Sequence, residues 1–190
     1  MFILKNKYFL IIESIKNINL ENIKIRNKFF IIYRCIKKVD NSDDLLRFRQ
    51  KCKLKAIQFY VANNIKLAIV LKSDGVYLSS FNKNLRFLNY KKPNFKIIGS
   101  AHNFKEISLK TKQGCSSILL SKLFAVDYDK KAPFYGVVKF NYLSQISDKL
   151  VPLGGIKEKN LSHLRNVFGK GIALLSEIKK KPANIINRLF

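Results

Sequence analysis

Eight short apolar runs, separated by polar helix-forming stretches, constrain this chain more than any other feature. They lie at residues 8–12, 29–35, 57–61, 75–78, 96–98, 117–120, 150–153 and 171–175. The runs are continuous rather than alternating, as expected of parallel strands covered on both faces. Ser42 or Asp43 is expected to cap a helix running to Lys53, and a short helix follows at 65–71. Asn103 caps a helix that runs to Lys112 and closes at Gly114. Further helices are expected at 158–167 and after Pro182. Eight strand–helix units in 190 residues predict an α/β fold, a single compact (β/α)8 TIM barrel spanning 1–190.

The second half of the chain adds a chemical signal. One run ends in Gly99, Ser100, Ala101 and His102, another in Gly154, Gly155 and Ile156, and the last reaches Ser176. Each cluster falls where a buried strand hands over to a helix. Backbone N–H groups at such junctions bind phosphate. Gly154, Gly155 and Ser176 are therefore candidate phosphate-binding residues, although a tight turn alone also calls for glycine. Ser100 has a plainer alternative too, as a cap of the helix that follows it.

Lys and Arg number 37 against 12 Asp and Glu, a formal charge of +25. Such a balance favours an anionic partner: a phosphorylated small molecule, nucleic acid or an acidic membrane. The charge is dispersed and dominated by Lys, so most of it reads as solvated surface. An RNA-associated protein would use segments such as Arg86-Phe87 and Tyr90-Lys91-Lys92, but no nucleic-acid motif accompanies them. A hydrophobic content of 47% excludes a disordered chain. No apolar run is long enough to span a bilayer. Lys5 and Lys7 interrupt the apolar N-terminus, which reads as a first strand rather than a signal peptide. Cys35, Cys52 and Cys115 lack metal-ligand spacing and fit reduced thiols in a cytoplasmic protein. His102 and His163 are too isolated to build a metal cluster.

Five runs in order carry a family resemblance: Asp74-Gly75-Val76-Tyr77-Leu78, 97–102, 118–136, 152–156 and 171–178. Together they resemble the thiamine phosphate synthase and thiazole tautomerase superfamily. The resemblance implies a transferase that joins an aminopyrimidine methyl diphosphate to a thiazole phosphate, releasing diphosphate. It places Gly154, Gly155 and Ser176 on the thiazole phosphate and Ser100 and Asn63 on substrate. Of the family's Gln-x-Arg-x-Lys run on strand two, only the arginine remains, as Arg34. Ile32 and Ile36 take the other places, with Lys37 one residue on. The Asn-Asp pair after strand three becomes Ala62-Asn63, or Asn63-Asn64 with a shift of one, and the second metal-binding aspartate falls on Asn82. The resemblance implies Mg²⁺, yet both carboxylates are amides here, so poor affinity is expected. Val126-Asp127-Tyr128-Asp129, with Lys130 and Lys131 after it, stands where the family contacts diphosphate.

Three readings stay open. In a divergent synthase, Arg34, Lys122 and Lys130 supply the catalytic charge in place of Mg²⁺. In a tautomerase-like enzyme, Lys122 takes the position of a catalytic histidine and acts as a base, because burial lowers a lysine pKa. In a non-catalytic paralogue only thiazole phosphate binding survives. All three have phosphorylated small molecules as partners, and homo-oligomers are compatible with the resemblance.

Overall fold

The computed structural model describes residues 7–23, 27–36, 39–90, 94–129, 131–169 and 171–175. Eight strands form a closed barrel in chain order: β1 (Lys7–Ile12), β2 (Phe29–Tyr33), β3 (Gln58–Ala62), β4 (Gly75–Leu78), β5 (Lys96–Ala101), β6 (Ser117–Ser121), β7 (Leu150–Leu153) and β8 (Gly171–Leu174). Every neighbouring pair is parallel, and β1 closes on β8 with Lys7 opposite Gly171 and Leu10 opposite Leu174. This is the (β/α)8 barrel expected from the apolar runs. Strand β2 ends two residues earlier than the expected run, so Cys35 lies beyond it. No described helix is long and apolar enough to cross a membrane.

Four α-helices are described: α1 (Ser42–Leu54), α2 (Ile65–Val70), α3 (Phe104–Lys112) and α4 (Gly136–Ile146). Asn41, not Ser42 or Asp43, caps α1, its side chain accepting from the Asp43 amide at 2.8 Å. The shift is one residue from Ser42, because Asn41 already holds the non-helical conformation a cap requires. Asn103 caps α3 as expected, accepting from Glu106 N at 3.0 Å. The expected helix at 158–167 is instead a 3-10 stretch, Glu158–Asn166, entered without a side-chain cap from Lys157. The expected helix after Pro182 lies outside the described residues.

The core divides by strand parity. Side chains of alternate residues point to opposite faces. Phe9, Ile11, Phe30, Ile32, Tyr60, Tyr77, Ile98, Leu119, Leu153 and Ala173 fill the barrel interior. Their neighbours, such as Leu10, Ile31, Phe59 and Leu120, pack outward against the helices. Aromatic rings make up much of the interior: Phe9 stacks on Phe30 with centroids 4.6 Å apart, and Phe30 lies 6.2 Å from Tyr60. Tyr60 sits opposite Gly75, where a Cβ would come within 2.8 Å of the tyrosine ring and 1.8 Å of Lys96 O. The small residue on β4 makes room for the large one on β3.

Asp74, just before β4, holds the lower end of the barrel to its outer layer. Its carboxylate accepts from Phe59 N at 2.7 Å and pairs with Arg49 of α1 at 3.1 Å. Cys52 and Cys115 are fully buried free thiols, each pushed up to about 12 by burial, so both stay protonated at neutral pH. Gly75→Ala is expected to lower the melting temperature by about 5 °C or more, because its nearest contact is backbone that cannot rotate away. An unchanged melting curve would contradict this packing.

Candidate active site at the C-terminal mouth of the barrel

Continuing each strand two residues past its last interior side chain defines a second, polar layer. Ile11 leads to Glu13, Ile32 to Arg34, Tyr77 to Ser79, Ile98 to Ser100, Leu119 to Ser121 and Leu153 to Gly155. All six line one cavity of about 510 Å³ at the C-terminal ends of the strands. Ligand pockets of (β/α)8 barrels occupy this end.

Arg34 holds its place because its backbone N–H extends the β1–β2 ladder, donating to Ile12 O at 2.8 Å. Its side chain stands beside the Tyr77 hydroxyl, with Ser100 next to the same hydroxyl in the cavity wall. Tyr77 is almost wholly buried. Burial raises its pKa, and Ser100 and Arg34 only partly offset that, so it remains a neutral phenol. Arg34 Nε is buried without an acceptor among the described residues. A buried donor without an acceptor is costly, and an anionic ligand would satisfy it.

Gly154 and Gly155 line the cavity with φ of +90° and +68°. A Cβ on Gly155 would stand 2.4 Å from Phe124 O and 2.5 Å from Ala125 O. Glycine is therefore required at Gly155 by the packing of the β6–α4 loop, as well as by the turn. Asn160 Nδ2 donates to Gly155 O at 2.8 Å and steadies the same turn.

The β6–α4 loop closes one side of the mouth. Val126, Asp127 and Tyr128 line the cavity, and Val126 bridges to Asp129. Asp127 pairs with Lys157, itself a lining residue, and Asp129 pairs with Lys122 at 3.3 Å. The Lys122 ammonium also lies 5.5 Å from the Tyr128 ring centroid. Two lysines near the mouth are thus already engaged by carboxylates. His102 lines the cavity too, with its amide donating to Glu106 at 2.7 Å and its carbonyl accepting from Tyr135 Oη at 2.7 Å.

Asn63 lies on the loop after β3, beside the cavity lining. Its Oδ1 accepts from Ser79 N at 3.0 Å and Asn82 Nδ2 at 3.1 Å, tying the loop after β3 to the loop after β4. Asn64 is spent on capping α2, accepting from Leu67 N at 2.9 Å. Beneath the second loop, Lys110 is fully buried and its Nζ donates to Ser79 O, Asn82 O and Gln113 Oε1. Burial lowers its pKa from the ordinary lysine value, against the opposing pull of Cys115 and Glu106.

The donors present do not fit Mg²⁺, which takes carboxylate oxygens and water in a strict octahedron. Asn63 and Asn82 are neutral amides, and the Asn63 oxygen already accepts from two nitrogens.

The sequence model of the thiamine monophosphate synthase family matches residues 8–178. The chain belongs to this family. Two thiamine-phosphate synthases of Prochlorococcus marinus are each 28% identical, over 143 and 139 residues, covering 73% and 72% of this chain. The matched part is 40% of the length of each of those relatives. The thiamine-phosphate synthase of Mannheimia succiniciproducens is 27% identical over 149 residues, 75% of this chain and 66% of that protein. Among solved structures, the thiamine phosphate pyrophosphorylase of Pyrococcus furiosus superposes with a TM-score of 0.75 over 97% of this chain and 93% of its own, at 19% identity. KGPDC of Streptococcus mutans shares the fold, with a TM-score of 0.67, 9% identity, and coverage of 98% of this chain and 96% of its own.

For this family member, the sequence-derived candidates separate by place. Arg34, Ser100, Gly154 and Gly155 share the cavity. Asn63 joins two loops beside it, and Lys122 stands outside its lining, paired with Asp129. Ser176 and Lys130 lie outside the described residues. Sequence reasoning passed over Tyr77, Glu13, Lys157 and Lys110. The parity of the apolar runs contained the signal for the first two. Replacing Asp127 and Asp129 together by Asn is expected to tighten inorganic phosphate binding about threefold at low salt, with the gain shrinking as salt rises. Calorimetric titration reads this, and unchanged affinity would mean that the paired lysines do not face the ligand.

Proposed function

We propose that the chain is a thiamine phosphate synthase-like transferase that couples an aminopyrimidine methyl diphosphate with thiazole phosphate. The reading is carried by the Arg34–Tyr77–Ser100 cluster facing the two-glycine turn across one cavity, in a chain of this family. In this reaction the C–O bond to diphosphate breaks first and the electron pair leaves with the diphosphate. The pyrimidine-stabilised cation is then captured by the thiazole nitrogen, forming the C–N bond of thiamine phosphate. The demand on the protein is stabilisation of the charge that develops on the leaving group. Arg34 is the residue suited to it, with a planar guanidinium and one buried N–H without an acceptor. Tyr77 and Ser100 line the cavity with Arg34 and offer hydroxyls to the pyrimidine or diphosphate. The Gly154–Gly155 turn takes the thiazole phosphate, with Lys157 beside it. Ser176 and Lys130 belong to the same scheme as phosphate and diphosphate contacts.

A second reading has its own observation. Asp127 and Asp129 place two carboxylates on the loop where the family contacts diphosphate, which disfavours a second polyanion. That supports a tautomerase-like or non-catalytic protein that binds thiazole phosphate alone, and in the former Lys122 would be the base.

Mixing the unmodified protein with both substrates and following thiamine phosphate by chromatography separates these readings. The synthase reading expects product, with kcat reduced about 100-fold in Arg34→Met and thiazole phosphate affinity within about threefold of the unmodified chain. Saturable thiazole phosphate binding without product would instead establish the second reading.

A further inference from the structure

Lys110 is a buried cation with an unusual position. It lies on the inward face of α3, and its stem runs past Gly99 of β5, where a Cβ would come within 2.8 Å of both Lys110 Cδ and Cys115 Sγ. The Nζ meets three acceptors, Ser79 O at 2.7 Å, Asn82 O at 2.7 Å and Gln113 Oε1 at 2.9 Å. A neutral amine has two N–H bonds to give and an ammonium has three, so three acceptors select the charged form. Gln113 reinforces the contact by donating to Asn82 O and Asn84 O at 3.0 and 2.9 Å.

The loop after β4 carries Ser79 and Asn82, and Asn63 meets both from the loop after β3. In the ungapped reading of the family resemblance, the positions of Asn63 and Asn82 belong to carboxylates that share a cation. Two such carboxylates repel each other unless a cation or a proton lies between them. Two carboxamides behave differently. The Asn82 amide donates directly to the Asn63 oxygen at 3.1 Å, and the Asn63 amide donates to Ser79 Oγ at 3.1 Å. Attraction replaces repulsion, and the remaining positive charge comes from a side chain tethered beneath the loop.

We infer that the Asn63–Ser79–Asn82 carboxamide cluster and the Lys110 ammonium together replace the divalent cation at this mouth, so that the loops after β3 and β4 hold their positions without metal. The inference rests on the family's metal positions and on these contacts. It does not depend on which reaction, if any, the chain catalyses.

The test uses the full chain stripped with a chelator and titrated with Mg²⁺ or Mn²⁺ alone, read by calorimetry and thermal melting. The unmodified chain is expected to give no saturable heat and a melting shift below about 1 °C. N63D/N82D is expected to melt lower without metal and to regain about 5 °C in saturating Mg²⁺. Lys110→Met is expected to speed amide exchange across residues 79–84 about tenfold, with no recovery on adding Mg²⁺. Saturable Mn²⁺ binding by the unmodified chain that Asn63→Ala abolishes would overturn the inference. So would unchanged exchange across 79–84 in Lys110→Met. Neither readout involves the thiamine precursors, so a failure here is distinct from a failure of the proposed reaction.

Discussion

The closed parallel ladder fixes which way every strand residue points, and the site follows from that parity. Once Ile32, Ile98 and Leu119 are committed to the interior, Arg34, Ser100 and Ser121 must face the mouth. A one-residue slip of β2 against β1 would turn Arg34 outward and bring Tyr33 into the barrel. The register is held by packing of unequal residues, Tyr60 against Gly75 above all, as well as by hydrogen bonds. The seam between β7 and β8 is the thinnest, with Leu153 opposite Ala173 as its one described pair. Pro152 contributes no N–H there. Among the described residues, backbone pairing is sparsest beside the two-glycine turn, where the site needs an unusual backbone.

Charge at the mouth is arranged by pairing rather than by excess. A formal charge of +25 would suggest a mouth crowded with free cations. Instead Lys122 and Lys157 are engaged by Asp129 and Asp127, and Lys110 is spent on backbone oxygens. Arg34 differs, because its Nε is buried with no acceptor among the described residues. The electrostatic focus of the cavity is thus one guanidinium beside the Tyr77 phenol. A leaving diphosphate or a bound phosphate would complete its hydrogen bonding.

The strands were legible because a parallel barrel demands continuous apolar runs, and Phe29–Tyr33 or Ser117–Ser121 can hardly be read otherwise. Ser100 and Gly155 were legible because each falls in a Gly/Ser cluster at the end of an apolar run, and Arg34 through the family resemblance on strand two. Helix α4 was not. It opens on Gly136, Val137 and Val138 with no side-chain cap, and leaves Val138, Tyr142 and Ile146 exposed, so neither its start nor its face carries a helical signature. Lys110 was hidden by its type, since one lysine among many reads as solvated surface. Its spacing held the clue, three residues after buried Ile107 on the same face of α3. The pairing of Asn63 with Asn82 joins residues 19 apart and needs both loops in place before it can be seen.

The most direct test of this account is a crystal structure of the chain with thiazole phosphate bound. The account expects the phosphate against the Gly154–Gly155 turn and the ring in the cavity floored by Tyr77 and Ser100. Ligand bound elsewhere on the surface, or an empty mouth at saturating ligand, would contradict the claim that this cavity is the phosphate-recognising site.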